Sequence, residues 1–162
     1  MTFAVLSWLV ALPLLGVLTG LRTMTPIAVL CWFAWQGNLP LDGTWAAWTT
    51  HLATPIVFTV LAAAEVIGDK LPRTPNRTAS GPLAARVVFG GLVGALVATG
   101  LDGDLVEGIF LGVAGALLGA CGGFLVRREL VHRLGCPDWY IAGLEDVIVL
   151  GCSILAMGVI TG

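Results

Sequence analysis

Six apolar stretches, separated by short polar segments, take up most of this 162-residue chain and constrain its fold more than any other feature. Because 57% of the residues are hydrophobic and only 11% are charged, a water-soluble fold of this size could not bury the apolar surface. A helix needs about 20 residues to cross the hydrocarbon core of a bilayer. Most of the stretches approach that length, although the second is short and its complete crossing stays open. The sequence therefore predicts an all-α, polytopic integral membrane protein with a single transmembrane domain over residues 1–162. The six predicted transmembrane helices lie near residues 3–21, 25–36, 53–69, 83–100, 105–126 and 140–160, with a central loop at 73–82.

The distribution of basic residues supports the count of six helices. If six helices alternate in direction, all eight lysines and arginines lie on the side of the loops that follow helices one, three and five. The positive-inside rule makes that side cytoplasmic. We therefore expect both chain termini on the extracytoplasmic side and the central loop in the cytoplasm.

Two internal patterns leave alternatives open. Three helices before the central loop and three after it would suit an inverted repeat, but Glu65 and Glu145 would then lie on opposite faces, whereas both are expected near the cytoplasmic one. Glycines spaced four residues apart on helices four and five allow close helix contact, either within the chain or in a homo-oligomer. These glycines are Gly90, Gly94, Gly108, Gly112, Gly115, Gly119 and Gly123.

Charged residues within the cytoplasmic helix ends form the candidate site. A carboxylate or guanidinium there costs about 1 to 3 kcal/mol, so we expect these groups to face one another or a wet cavity. The substrate or ion-binding candidates are Arg22, Glu65, Asp69, Arg86, Glu145 and Asp146. Glu65 is the strongest because it is deepest, and the first expected pairs join Arg22 and Arg86 to Glu65 and Glu145. The simpler interpretation is a charge cluster that fixes helix register.

A basic patch at the end of helix five is a candidate lipid contact through Arg127, Arg128 and Arg133. The simpler interpretation is that these arginines only report the cytoplasmic side. The four cysteines show no CxxC pair, and no HExxH, GxSxG or P-loop is present. We therefore expect no enzymatic activity, no metal, no cofactor and no nucleic-acid partner.

Four short motifs, taken in order, resemble a bacterial family of polytopic membrane proteins known as domain of unknown function 4126. They are GLRTMTP (residues 20–26), EVIGDKLP (65–72), RRELV (127–131) and PDWYIAGLED (137–146), and the likeness covers nearly the whole chain. The resemblance implies a location in the bacterial inner membrane and supplies no activity. It also implies a characteristic polar set: Arg22, Pro26, Glu65, Asp69, Lys70, Pro72, Glu145 and Asp146.

These features give a leading hypothesis and two alternatives. The leading hypothesis is a small transporter or channel-like protein that binds a small ion or charged metabolite at the cytoplasmic acidic and arginine cluster. The first alternative is a non-catalytic protein that binds anionic lipid or a partner membrane protein through the basic patch and the glycine ridges. The second is lipid-phosphate handling or flipping, for which the sequence shows no metal or nucleophile.

Overall fold

The computed structural model describes residues 2–69, 80–135 and 137–162, without the side chains of residues 2–9, 134 and 138. Over these residues the chain contains six α-helices, one turn of 3-10 helix and no strand, which confirms the predicted all-α class. The helices are α1 (Thr2–Leu21), α2 (Met24–Trp35), α3 (Ala53–Gly68), α4 (Ser80–Gly100), α5 (Leu105–Leu134) and α6 (Asp138–Thr161), and the 3-10 turn is Ala47–Thr50.

Two helix ends differ from the sequence expectation. Residues 80–82 were expected in the central loop but are helical and belong to α4. The rest of that loop, with Lys70 and Pro72 of the polar set, lies outside the described residues. Helix α5 continues eight residues past the expected end at 126 and stops at Gly135, whose positive φ of 61° suits a helix C-terminus.

Three helices are long and apolar enough to cross a membrane by length and composition: Ser80–Gly100, Leu105–Arg133 and Trp139–Thr161. The other apolar helical segments with described side chains are shorter, at Val10–Leu21, Met24–Trp35 and Ala53–Gly68. The three long helices indicate a membrane location, and a crossing by all six stays a prediction.

Helices α1, α4 and α5 form the centre of the bundle, and glycines bring their backbones together. A Cβ added to Gly108 would lie 2.7 Å from the carbonyl oxygen of Gly94 on α4. A Cβ added to Gly115 would lie 2.5 Å from the carbonyl oxygen of Pro13 on α1. Along α5, Gly108 therefore faces α4 and Gly115 faces α1. At both contacts close van der Waals packing holds the helices together, since the hydrophobic effect does not drive helix association in lipid. These glycines contact other helices of the same chain, and the homo-oligomer stays a prediction.

Helices α2, α3 and α6 form a second group, in which α2 is largely buried and α3 and α6 are more exposed. Helix α2 packs against α3 and α6, whereas α5, its counterpart in a three-plus-three repeat, packs along α1 and α4. The two halves of the chain therefore pack differently. Helix α3 packs chiefly against α2 and exposes Ile56, Val57 and Val60, as a lipid-facing helix would.

The segment between α2 and α3 covers one end of the bundle. Leu39 and Leu41 are fully buried, and Leu39 lies against Gly100 at the end of α4. The indole N–H of Trp45 donates a hydrogen bond to Thr99 Oγ1 at 3.0 Å. At the opposite end, α1, α3 and α5 finish where α2, α4 and α6 begin, and there the charged residues collect.

The glycine contacts predict that a single methyl group will weaken the bundle. Because a Cβ on Gly94 would overlap the carbonyl oxygen of Gly108, Gly94→Ala should lower stability by about 1–3 kcal/mol. Thermal unfolding in a mild detergent measures the effect. Gly122→Ala on α5 is the matched control, since a Cβ there meets nothing within 4 Å. Equal unfolding temperatures for the two variants would contradict this packing.

Candidate functional site

Arg22, one residue past the end of α1, joins two other helices through its guanidinium. Its Nη2 lies 3.0 Å from Asp69 Oδ2 beyond α3, and its Nε lies 2.6 Å from Asp146 Oδ1 on α6. The side chain is only 2% exposed. A guanidinium taken out of water needs such partners because its desolvation costs several kcal/mol, about as much as close carboxylates return.

Arg127 brings the fifth helix into the same group. Its Nη1 donates a hydrogen bond of 2.9 Å to Asp69 Oδ2 and lies 3.8 Å from Glu145 Oε2. Asp69 therefore sits between two arginines, one after α1 and one on α5. We name the group of five side chains, Arg22, Asp69, Arg127, Glu145 and Asp146, the ion-pair network.

Glu65 has a different partner from the one expected. Its two carboxylate oxygens accept hydrogen bonds from the backbone N–H groups of Thr23 and Met24, at 2.9 and 2.8 Å. These donors open α2, and a negative charge is favoured there because the N-terminus of a helix carries partial positive charge. Thr23 makes no side-chain capping bond of its own. Glu65 thus caps α2 from α3.

The expected pairs were therefore wrong for Arg22, which contacts Asp69 and Asp146 instead of Glu65 or Glu145. The missing information was the rotation of each helix about its axis. One signal was present in the sequence for Arg127: the ridge Gly115, Gly119, Gly123 continues to residue 127 at the same four-residue spacing. Since that ridge faces α1, Arg127 points toward the end of α1.

A cleft of about 360 Å³ opens beside the ion-pair network, between the α1–α2 junction, α3 and α4. Its charged lining residues are Arg22, Glu65, Asp69 and Arg86. Arg86 is 6% exposed and enters from the first turns of α4. Five of the six predicted binding residues thus lie in the cleft or beside it in direct contact, and Glu145 reaches the network through Arg127.

Among the described residues of the site, carboxylates outnumber arginines. The ion-pair network holds two arginines against three carboxylates, and Arg86 and Glu65 add one charge of each sign. The described residues of the site therefore carry one excess negative charge when all are ionised. This excess favours a positively charged ligand, because a cation close to a carboxylate stabilises its ionised form.

The three predicted lipid-contact arginines separate in the structure. Arg127 belongs to the ion-pair network, whereas Arg128 and Arg133 lie on the exposed side of α5. Arg133 Nε contacts Glu129 Oε1 at 2.6 Å, and the Arg128 guanidinium lies 5.9 Å from the centre of the Phe124 ring. Both arginines border a shallow groove with Leu125, Val126 and Leu130, so this surface combines basic groups with apolar ones.

Two ion pairs of equal length provide a test of burial in the site. Arg22→Ala leaves Asp69 and Asp146 without this cation and should cost about 3–5 kcal/mol of stability. Arg133→Ala removes an equally short contact whose side chains are 74% and 54% exposed, so it should cost at most about 1 kcal/mol. Denaturant unfolding in mixed micelles compares the two. Similar losses would show that Arg22 is solvated in the protein.

The charged site lies within a region that matches a known family. A family model described as "Domain of unknown function (DUF4126)" matches residues 9–159, a range that contains every residue of the ion-pair network. No curated protein and no solved structure gives a significant match. The match covers most of the sequence and confirms the resemblance carried by the four motifs. The chain therefore belongs to the DUF4126 family of domains of unknown function.

Proposed function

We propose that this protein is a small membrane transporter whose ion-pair network and cleft bind a small cation or a proton. The observation that carries the proposal is the position of Arg22, buried between the carboxylates of Asp69 and Asp146 and lining an open cleft. Ionisable groups at membrane depth commonly mark ion and proton paths.

The excess of carboxylates supports a cation rather than an anion. A cation or proton that neutralises Asp69 or Asp146 would replace part of the attraction that holds Arg22. Because Arg22 contacts two carboxylates, it keeps one partner when the other is neutralised, so the exchange does not leave a buried guanidinium unpaired. The network is thus suited to switching between two pairings.

Helix α3 is the element that such a switch would release. It packs chiefly against α2, and its end is held by Glu65 on the start of α2 and by Asp69 on Arg22 and Arg127. Neutralising Asp69 would remove the contacts of that carboxylate with α1 and α5. The bonds of Glu65 would remain, so α3 would tilt about α2 rather than detach.

The proposal includes a topology in which all six helices cross and the cleft opens to the cytoplasm. The alternating helix ends and the positive-inside pattern support it. Fusions after Gly162 in a bacterial host test it: alkaline phosphatase should be active and green fluorescent protein dark. A fluorescent fusion would place the C-terminus in the cytoplasm and reverse the assignment.

Flux in proteoliposomes tests the transport proposal. Gradients of H⁺, Na⁺ and K⁺ are applied in turn, and at least one should dissipate faster than in protein-free vesicles. Asp69→Asn should lower that flux at least about tenfold, because it removes a charge at the centre of the ion-pair network. Glu129→Gln, in an exposed pair on α5, should stay within about twofold of the unmodified protein.

The same experiment separates transport from the second candidate function, binding of anionic lipid at Arg128 and Arg133. The observation that favours this candidate is the groove in which both arginines border apolar side chains of α5. The absence of flux for all three cations, with phospholipid retained in native mass spectra and lost from the double variant Arg128→Gln and Arg133→Gln, would favour lipid binding. Flux that is unaffected by Asp69→Asn would also contradict the proposed site.

A further inference from the structure

A second cavity lies between α2, α3 and α6. It is a groove of about 310 Å³ with α2 as its floor and with α3 and α6 as its walls. Ala28 and Val29 contribute to the floor, Ala62 and Val66 to one wall, and Leu150 to the other. The groove is partly open, and Leu150 is 47% exposed, so it faces the surface that would meet lipid.

The groove and the cleft meet at one ion pair. Asp146 lines the groove, Arg22 lines the cleft, and their Oδ1 and Nε atoms lie 2.6 Å apart. The carboxylate of Asp146 therefore ends the apolar groove and also belongs to the ion-pair network. A ligand in the groove could reach that carboxylate without passing through the cleft.

We propose that the groove binds a lipophilic organic cation, of the quaternary ammonium or phosphonium class, whose charge is taken by Asp146. The inference rests on the proposed transport function and deepens it, since it adds an organic cation as a second ligand of the network that binds the small cation or proton. The ligand would enter from the bilayer between α3 and α6, leave its apolar groups in the groove and exchange with Arg22 as the partner of Asp146.

The residues that line the groove favour both properties of the ligand, its positive charge and its apolar surface. Among the described residues that line the groove, Asp146 is the one ionised side chain, so an anion would meet like charge next to apolar walls. A small hydrated ion would lose water there and gain few oxygen ligands. An ion that carries its own apolar surface avoids that loss, because alanine, valine and leucine side chains replace its contacts with water.

Trp32 is the aromatic residue among the described residues that line the groove. Its indole N–H already donates to Thr59 Oγ1 at 3.0 Å, which fixes the ring at the wall between α2 and α3. The ring is held by this bond and by an edge contact with Trp35. A face of a tryptophan ring attracts a desolvated cation electrostatically, and quaternary ammonium groups are bound in this way.

Two probes of nearly equal size and opposite charge test the inference. Tetraphenylphosphonium and tetraphenylborate are measured by equilibrium dialysis against the purified protein in an uncharged detergent, with protein-free micelles as the blank. The phosphonium should bind saturably and the borate should not. Asp146→Asn should weaken phosphonium binding at least about tenfold, and Glu129→Gln should leave it within about twofold.

A second variant keeps the test valid if Asp146→Asn does not fold. Leu150→Trp fills the groove from a partly exposed position without changing any charge, so it should weaken phosphonium binding at least about fivefold. Saturable borate binding, or phosphonium binding unaffected by both substitutions, would overturn the inference. Small-ion flux without phosphonium binding would overturn it too and leave the proposed function standing. Phosphonium binding without small-ion flux would support the groove site and count against the small-ion proposal.

Discussion

The structure depends on the need to compensate charge that has been removed from water at one end of the helix bundle. Arg22, Asp69 and Asp146 come from three parts of the chain, and none of them could be buried alone without a cost of several kcal/mol. Their mutual contacts tie the end of α1 to the end of α3 and to α6. Arg127 adds α5 to the same arrangement through Asp69. The helices are thus aligned by charge at this end, whereas apolar packing holds them together along the rest of their length.

Glycine determines which helices approach one another most closely. The glycines of α5 bring its backbone against α4 on one side and α1 on the other, so these three helices form a close-packed centre. Helices α2, α3 and α6 lack this contact, and a groove lies between them, with the cleft between α3 and α4. This second group of helices carries Glu65 and Asp146, and Asp69 follows the end of α3.

The helices and the level of the charges could be predicted from the sequence, because uninterrupted apolar stretches report helix length directly. The pairing of the charges could not. Helices that are apolar all round give no indication of which side faces a neighbour, so Asp69 and Glu65, one turn apart, could not be assigned to different partners. The capping role of Glu65 depends on the level at which α2 begins, which only the tertiary structure supplies. The last turns of α5 were missed because their charged residues resemble a loop, although the four-residue spacing of Glu129 and Arg133 favours a helix.

In the proposed topology, in which all six helices cross, the shortness of α2 would affect the bilayer beside it. Its 12 residues rise about 18 Å, well below the roughly 30 Å of hydrocarbon that a crossing must cover. Leu39 nevertheless reaches Gly100 at the far end of α4, so a few residues after α2 cover the remaining depth without helical hydrogen bonds. Irregular backbone at that depth must be shielded from acyl chains. The bilayer next to α2 would become thinner to match the shorter helix. The insulating layer would therefore be thinnest along the wall that holds the groove.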